Sequence, residues 1–201
     1  MTRSHSGVAL LAVLLIGPGI AAAQTHWAVG AGIGAPRFSG GATEPATGRS
    51  LLPYRPTVFE VGVDRAGRSA GVGVWFHYAS SSLALEGADA LAAVKDALTV
   101  YGAEPFVAVR LTRVGPEGTL RVMGGPLLEV WKLTDVDSRT RVGIAAAVEL
   151  IVPFGGRWSG VARMGGAVTP SSPFTEDDLD SGLEPRALWR REVAATLRYR
   201  L

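Results

Sequence analysis

Apolar and polar residues alternate along much of this chain, and the pattern is clearest at its end. Counting back in twos from Leu201 to Val193 gives only apolar or aromatic residues, whereas the residues between them are mostly polar. Side chains of a β-strand point alternately to the two faces of a sheet, so a period of two indicates a strand with one apolar and one polar face. The last ten residues therefore predict a strand that belongs to a sheet.

Seven earlier segments alternate in the same way, which makes eight predicted strands. The segments between them are rich in Gly, Pro and Ser, which favour turns and loops. The linkers after the second, fourth and sixth strands are short, whereas 36–54 and 170–185 are predicted to be long loops. The predicted strands lie within residues 25–35, 57–63, 72–78, 101–113, 119–133, 139–154, 157–169 and 186–201.

Residues 80–98 have a helical period instead of a period of two. Four apolar residues and one lysine recur there at intervals of three and four, which is typical of one face of a helix. We therefore expect a short surface helix in the loop between the third and fourth strands. The helical spacing is carried by Leu85, Ala88, Leu91, Ala92 and Lys95.

Pro126 interrupts the fifth predicted strand. Proline has no N–H to donate to a strand ladder, and a closed sheet has no edge on which that loss is harmless. The sequence Gly124-Gly125-Pro126 therefore predicts a bulge or a local break.

Residues 1–23 have the pattern of an export signal peptide. Arg3 gives a positive start, Val8 to Ile16 form an apolar run, and Ala21 to Ala23 offer a small-residue cleavage site. The run is shorter than the roughly 18 residues of a transmembrane helix. We therefore predict a cleaved signal peptide at 1–23 and a single exported domain at 24–201.

Composition limits the function of that domain. The formal net charge is +2, which argues against a nucleic-acid binder because such proteins need a basic surface to neutralise phosphates. Cysteine is absent, so no disulfide can stabilise the exported chain. Stability must come from the core of the fold or from a surrounding lipid phase.

The eight alternating strands, the unequal linkers and the terminal strand together resemble the small bacterial outer-membrane β-barrels of the OmpA-barrel, OmpX and OmpW group. The resemblance implies an all-β, eight-stranded antiparallel up-and-down transmembrane barrel in the outer membrane, with short periplasmic turns and longer outer loops. In that group the last strand carries the assembly signal, here Leu197, Tyr199 and Leu201. The group usually ends in Phe or Trp, whereas this chain ends in Leu201.

The same resemblance implies a monomer that contacts outer-membrane lipid, lipopolysaccharide and the barrel-assembly machinery, with no cofactor. It also implies a non-catalytic, structural or envelope-interaction role for loops exposed to the exterior.

Charge is confined to one face of the predicted strands. Over the spans 25–35, 57–63, 72–78, 101–111, 120–130, 142–154, 158–168 and 193–201, no alternate residue on the apolar face is Asp, Glu, Lys or Arg, as expected of a wall that faces lipid. Arg191, just beyond the last of these spans, is an exception whose aliphatic stem can carry its charge to the headgroups. We predict that the inward charges pair within a narrow lumen. They are Glu60, Glu104, Arg110, Arg121, Glu129, Glu149, Arg163, Arg198 and Arg200.

Aromatic residues on the apolar face fall at two heights. Amphipathic rings prefer the two membrane–water interfaces, so this distribution predicts two aromatic girdles. The periplasmic girdle comprises Trp27, Phe154, Trp158 and Tyr199, and the outer girdle comprises Tyr78, Tyr101 and Trp189.

Catalytic and metal-binding patterns are weak in this sequence. No His or Cys cluster has metal-ligand spacing, and the acidic segment 176–182 departs from a calcium loop because Gly182 occupies a ligand position. We therefore predict no catalytic, cofactor or metal site.

Two other functions stay open at this point. A soluble periplasmic carrier of lipocalin type would have its apolar face inward. An outer-membrane lipid hydrolase would bring His77 and one of Ser80 to Ser82 to the lipid-facing surface together.

Overall fold

The computed structural model describes residues 26–87, 91–133, 138–170, 172–174 and 182–201. It contains eight strands, and each hydrogen-bonds to its neighbours in sequence. The strands are β1 (His26–Thr43), β2 (Ser50–Ala66), β3 (Ala70–Glu86), β4 (Leu91–Val114), β5 (Gly118–Leu133), β6 (Arg139–Gly155), β7 (Trp158–Thr169) and β8 (Glu184–Arg200). The predicted signal peptide at 1–23 lies outside the described residues.

The sheet closes into an antiparallel barrel because β8 pairs with β1 from Ala28↔Arg200 to Thr43↔Glu184. The predicted fold class is therefore confirmed. We call the end with His26, Arg200 and the turns 67–69, 115–117 and 156–157 the turn end, and the opposite end the loop end. Closure leaves no unpaired strand edge along the wall.

Several strands continue further towards the loop end than the sequence predicts. Residues 36–43 and 50–54, predicted as loop, are strand, and only 44–49 connect them. Gly40 and Gly41 have φ values of +87° and +90°, and β1 shifts register here, so glycine lets the strand continue through a bulge. The β1–β2 connection is fixed by Glu44, which accepts hydrogen bonds from Thr47 Oγ1 (2.5 Å) and Arg49 Nε (2.6 Å).

The expected helix in 80–98 is wrong for the described part of that segment. Residues 80–86 and 91–98 belong to β3 and β4, and Glu86 pairs with Leu91 across the hairpin. Ladder hydrogen bonds to both neighbouring strands outweigh the local helical spacing, since tertiary context overrides weak propensity. Of the proposed helical positions, Ala88 lies outside the described residues.

Pro126 marks a local break in the ladder between β4 and β5. Pairing stops after Ala103↔Leu128 and resumes at Val107↔Gly124 in the same register, which sets Pro105 opposite Pro126. Neither proline has an N–H to donate, so the ladder opens where the two meet. Pairing of β5 with β6 is unbroken through Pro126↔Ile144.

The part of the chain that the structure describes contains no helix long and apolar enough to cross a membrane.

Candidate functional site: the barrel lumen

Strand alternation sends one set of side chains outward and the other into the lumen. The outer wall exposes large apolar side chains; Ile33, Phe59 and Ile144 are 55%, 57% and 64% exposed. The lumen instead buries nine Asp, Glu and Arg side chains of the strands, including Glu149 at 0% exposure. The polarity of this barrel is therefore the reverse of that of a water-soluble protein.

Charged lumen residues near the turn end form one continuous group. Arg121 lies opposite Glu149 on the neighbouring strand, and its Nε is 2.5 Å from the Glu149 carboxylate. Its Nη1 reaches across the lumen to Asp64 at 3.0 Å. Arg198 Nη2 lies 2.5 Å from the other oxygen of Asp64. These contacts join β2, β5, β6 and β8, so the group links both sides of the barrel.

A second group lies at the middle of the lumen around Glu60. Its carboxylate is ion-paired with Arg163 and accepts a hydrogen bond from Thr196 Oγ1 at 2.7 Å. Arg163 also approaches Glu192 at 3.3 Å, and its guanidinium lies 5.3 Å from the centre of the Trp75 ring. Both charge pairing and cation–π attraction therefore hold Arg163 in the centre of the barrel.

A third group, closest to the loop end, surrounds Arg190. Arg190 Nη1 donates to Glu129 at 2.8 Å, and its Nη2 lies 3.4 Å from Glu104. The other oxygen of Glu129 accepts a hydrogen bond from Trp131 Nε1 at 3.1 Å. His77 Nε2 lies 3.5 Å from Glu129 as well. Glu129 therefore contacts three side chains, from β3, β5 and β8.

We call these three groups together the charged layer. It holds six carboxylates and four guanidiniums, with His77 as a further group that can carry positive charge. Some of its polar atoms, among them Arg121 Nη2 and Glu149 Oε1, are buried without a hydrogen-bond partner among the described residues. The layer comprises Glu60, Asp64, His77, Glu104, Arg121, Glu129, Glu149, Arg163, Arg190, Glu192, Thr196 and Arg198.

Towards the loop end the lumen becomes apolar. The segment before β8 folds inward: Phe174 is 2% exposed, and Arg141 Nε donates to the carbonyl of Ser172 at 2.7 Å. Phe174 packs into a buried cluster that we call the apolar cap. The cap comprises Ala42, Val58, Ala79, Leu98, Val100, Trp131, Leu133, Phe174 and Leu188.

The structure brings seven of the nine predicted inward charges into the charged layer. Arg110 is half-buried beside an open cavity of about 120 Å³ at the turn end, whose lining also includes Arg121 and Arg198. Arg200 is exposed, because it lies where the lumen opens at the end of β8.

Asp64, Arg190 and Glu192 belong to the charged layer but are missing from the predicted set. Asp64 lies one residue beyond the predicted end of the second strand, and its side chain points inward like that of Glu60. Arg190 and Glu192 lie within the predicted eighth strand and share the inward alternation of Arg198 towards the loop end. Continuing the alternation one residue past the second strand, and through the whole of the eighth, would have found all three residues.

The predicted girdle residues lie on the outer wall. Tyr78 and Tyr101 are cross-strand partners with ring centroids 5.4 Å apart, and Trp158 and Tyr199 are paired at 4.8 Å. Six of the seven rings are exposed and Tyr199 is half-buried. They are Trp27, Tyr78, Tyr101, Phe154, Trp158, Trp189 and Tyr199.

The residues of the predicted assembly signal are at the turn end of β8. Leu201 is 61% exposed, and its N–H donates to the carbonyl of Trp27 at 2.9 Å. Leu197 is outward and 48% exposed. The three side chains therefore lie beside β1, where the barrel closes.

The candidate serine–histidine pair is not assembled in this structure. His77 is buried in the lumen, whereas Ser80 is exposed on the outer wall. Ser81 is inward, but its hydroxyl donates to the carbonyls of Tyr54 and Ser82. Of the acidic segment 176–182, only Gly182 lies within the described residues.

No protein-family model matches this chain, and no curated protein matches it. The fold is similar to solved structures of small outer-membrane barrels at very low sequence identity. Neisserial surface protein A superimposes with a TM-score of 0.57 at 8% identity, over 87% of this chain and 97% of that one. Outer membrane protein AlkL gives 0.52 at 9% identity over 92% and 94%. OprG from Pseudomonas aeruginosa gives 0.51 at 9% identity over 89% and 96%. The shared feature is the fold.

Proposed function

We propose that this chain is an integral β-barrel of the bacterial outer membrane with a non-catalytic, structural or envelope-interaction role. The observation that carries the proposal is the reversed polarity of the barrel. Large apolar side chains such as Met164, 66% exposed, cover the outer wall, while carboxylates and guanidiniums fill the lumen. A wall of this kind is stable in lipid and prone to aggregate in water.

The orientation follows from the lengths of the connections between strands. Barrels of this type keep short turns in the periplasm and expose longer loops outside. The loop end of this chain is accordingly the exterior end, and its connections are the surface available to envelope partners. Lipid, lipopolysaccharide and the assembly machinery are the partners we propose for the wall and for the last strand.

The alternative of a soluble carrier needs the opposite arrangement. A carrier of an apolar ligand encloses an apolar cavity, but the middle of this lumen holds Arg163 in contact with both Glu60 and Glu192. The burial of His77 in the charged layer likewise argues against a lipid hydrolase with a lipid-facing serine and histidine.

Fractionation and gel mobility test the membrane placement. After expression in a Gram-negative host, the protein should remain with outer-membrane lipid through carbonate washing. Refolded protein should migrate differently in SDS gels before and after boiling, because a closed barrel has no edge from which to unzip. Release by osmotic shock, or identical mobility with and without boiling, would overturn the proposal.

We also propose that the barrel is closed to ions. Eight strands enclose a space only wide enough for side chains. Here the charged layer and the apolar cap, with Trp131 at 0% exposure, occupy that space at successive levels. Single-channel recording in a planar bilayer should give no steady conductance, and a stable open level from the wild-type protein would contradict a filled lumen.

A further inference from the structure

Two arginines face each other on the outer wall where β1 meets β8. Arg37 and Arg191 are direct cross-strand partners, and both are exposed. Side chains at such positions have Cβ atoms about 5 Å apart, and like charges there repel. A close pair of guanidiniums between the exposed apolar side chains of Trp189 and Val193 is costly unless an anion lies between them.

In the described part of the chain, the pair has no acidic partner. Among the residues that the structure describes, neither Arg37 nor Arg191 contacts a carboxylate, and Arg37 donates only to the carbonyl of Pro36 at 3.2 Å. Arg186, five residues earlier on the same strand as Arg191, differs because it pairs with Glu184 at 2.8 Å. The Arg37–Arg191 pair is thus a concentrated positive charge with its donors free for a ligand.

The surroundings of the pair are apolar on both sides along the strand. Trp189, 56% exposed, is the next outward residue towards the loop end, and Val193, 55% exposed, is the next towards the turn end. Across β7, the partner of Arg191 is Gly166, which has no side chain to fill the space beside the guanidinium. The ligand must therefore fit between an aromatic ring and an apolar wall.

The height of the pair along the barrel axis is close to that of the lipid headgroups on the loop-end side of the membrane. Arg191 is eight residues above Tyr199 on β8, which is about 20 Å along the barrel axis for tilted strands. The apolar band of such barrels is about 25 Å tall. Arg37 and Arg191 accordingly lie close to the loop-end edge of that band, from which long side chains reach the lipid headgroups.

We infer that Arg37 and Arg191 form a clamp for the phosphate monoester of an outer-leaflet lipid. This inference rests on the proposed membrane placement. Two guanidiniums match the nearly double negative charge of a phosphate monoester better than the single charge of a phosphodiester. The apolar flanks formed by Trp189 and Val193 favour a phosphate attached to acyl chains over free phosphate.

Native mass spectrometry of the refolded protein in a zwitterionic detergent tests the clamp. The probe is diphosphoryl lipid A, compared with dephosphorylated lipid A, phosphatidylglycerol and inorganic phosphate. We expect one tightly bound lipid A. Either Arg37→Gln or Arg191→Gln should weaken that binding about tenfold or more, since each removes a charge-assisted hydrogen bond. Arg186→Gln removes the same charge from the same strand and should leave binding unchanged.

The denaturation midpoint provides a second test, because Arg191→Gln should affect it differently in the absence and in the presence of lipid A. Without lipid A, Arg191→Gln should keep or slightly raise the denaturation midpoint, because it relieves repulsion between the guanidiniums. With lipid A, the wild type should gain stability by ligand binding, and the variant should gain less. A variant that merely misfolds would lose stability in both conditions and would fail to support the clamp.

Several outcomes would overturn the inference. Equal losses in Arg186→Gln and Arg191→Gln would mean general charge attraction. Equal affinity for dephosphorylated lipid A would mean apolar adsorption, and binding of inorganic phosphate with the same affinity would mean a site for the free ion. Each of these results leaves the membrane placement intact, provided that the variants remain folded in micelles and heat-modifiable. Failure of the proposed function would show instead in fractionation.

Discussion

The charged layer and the apolar cap fill the same lumen by different physical means. In the charged layer, side chains from strands far apart in sequence meet at specific atoms; Arg163 and Glu60 are 103 residues apart. In the cap, Leu98, Phe174 and Leu188 pack without directed contacts. Packing tolerates substitutions of similar volume, whereas a buried charge whose partner is removed is strongly destabilising. We therefore expect the two regions to respond differently to single substitutions.

Glu129 lies where the two regions meet, and its removal should have the largest effect. Glu129→Ala leaves Arg190 without its nearest carboxylate and Trp131 Nε1 without its acceptor. For a fully buried pair we expect the free energy of unfolding to fall by about 3–5 kcal/mol. The measurement is the denaturant midpoint of protein refolded in micelles. The control is Glu184→Ala, from an exposed pair, which should cost less than about 1 kcal/mol.

An unchanged midpoint for Glu129→Ala would contradict the distinction between the regions. It would mean that water reaches Arg190 and replaces the lost carboxylate. Glu129→Gln sharpens the test because it keeps an acceptor for Trp131 but removes the charge. A loss in Glu129→Gln close to that in Glu129→Ala would assign the effect to the ion pair.

Substitutions of Leu98 test how far the stability of the apolar cap depends on packing alone. It is 1% exposed, and Leu98→Ala should destabilise the barrel by roughly 2–5 kcal/mol, with the lower end expected if neighbouring side chains collapse into the space. Leu98→Met, which conserves volume, should cost less than about 1.5 kcal/mol. Val94→Ala on the same strand, where Val94 is 66% exposed, is the matched control.

If Leu98→Met were as damaging as Leu98→Ala, the cap would depend on directed fit as much as the charged layer does. The comparison between the two regions would then fail.

How far the sequence predicts each region depends on how regular the strands are. Arg121 and Glu149 were predictable because they lie in segments with strict alternation. Their pairing was not, because register between strands is unknown until the barrel closes, and a slip of one residue sends every side chain to the other face.

The cap was missed for a different reason. Ala42, Leu98 and Phe174 come from segments whose local composition or spacing indicates loop or helix. Long-range ladder bonds and the inward fold at Phe174 determine their positions, and neither is visible in a local window. The sequence therefore predicts the lumen residues whose inward direction follows from strand alternation. It does not predict those whose positions depend on long-range pairing as the barrel closes.

Gly102 tests how tightly the charged layer is packed. It lies on β4 between His77 and Glu129, its cross-strand partners. A Cβ added there would overlap the His77 ring, so Gly102→Ala must displace that ring from Glu129. We expect a loss of about 1–3 kcal/mol, typical of overpacking.

Gly160 provides the comparison for that substitution. The nearest atom to a Cβ added at Gly160 is a Phe154 ring carbon at 3.6 Å, an ordinary contact. Gly160→Ala should therefore be nearly neutral. Equal midpoints for the two variants would indicate that the charged layer has room to rearrange around His77.

Leu201 lies outside both regions of the lumen and should have the smallest effect on stability. Its side chain is exposed, and its backbone N–H makes the bond to Trp27, which any residue but proline can make. Leu201→Phe should therefore change the free energy of unfolding by less than about 0.5 kcal/mol. If the last strand carries the assembly signal, the variant should also reach the outer membrane at wild-type levels or higher, because Phe is the usual ending in the group this chain resembles.

Deleting Tyr199 to Leu201 removes the signal and the ring contact with Trp158, and should leave exported but degraded protein. Normal outer-membrane levels of the truncated chain would place the assembly information elsewhere and leave the contacts of the lumen to specify both stability and assembly.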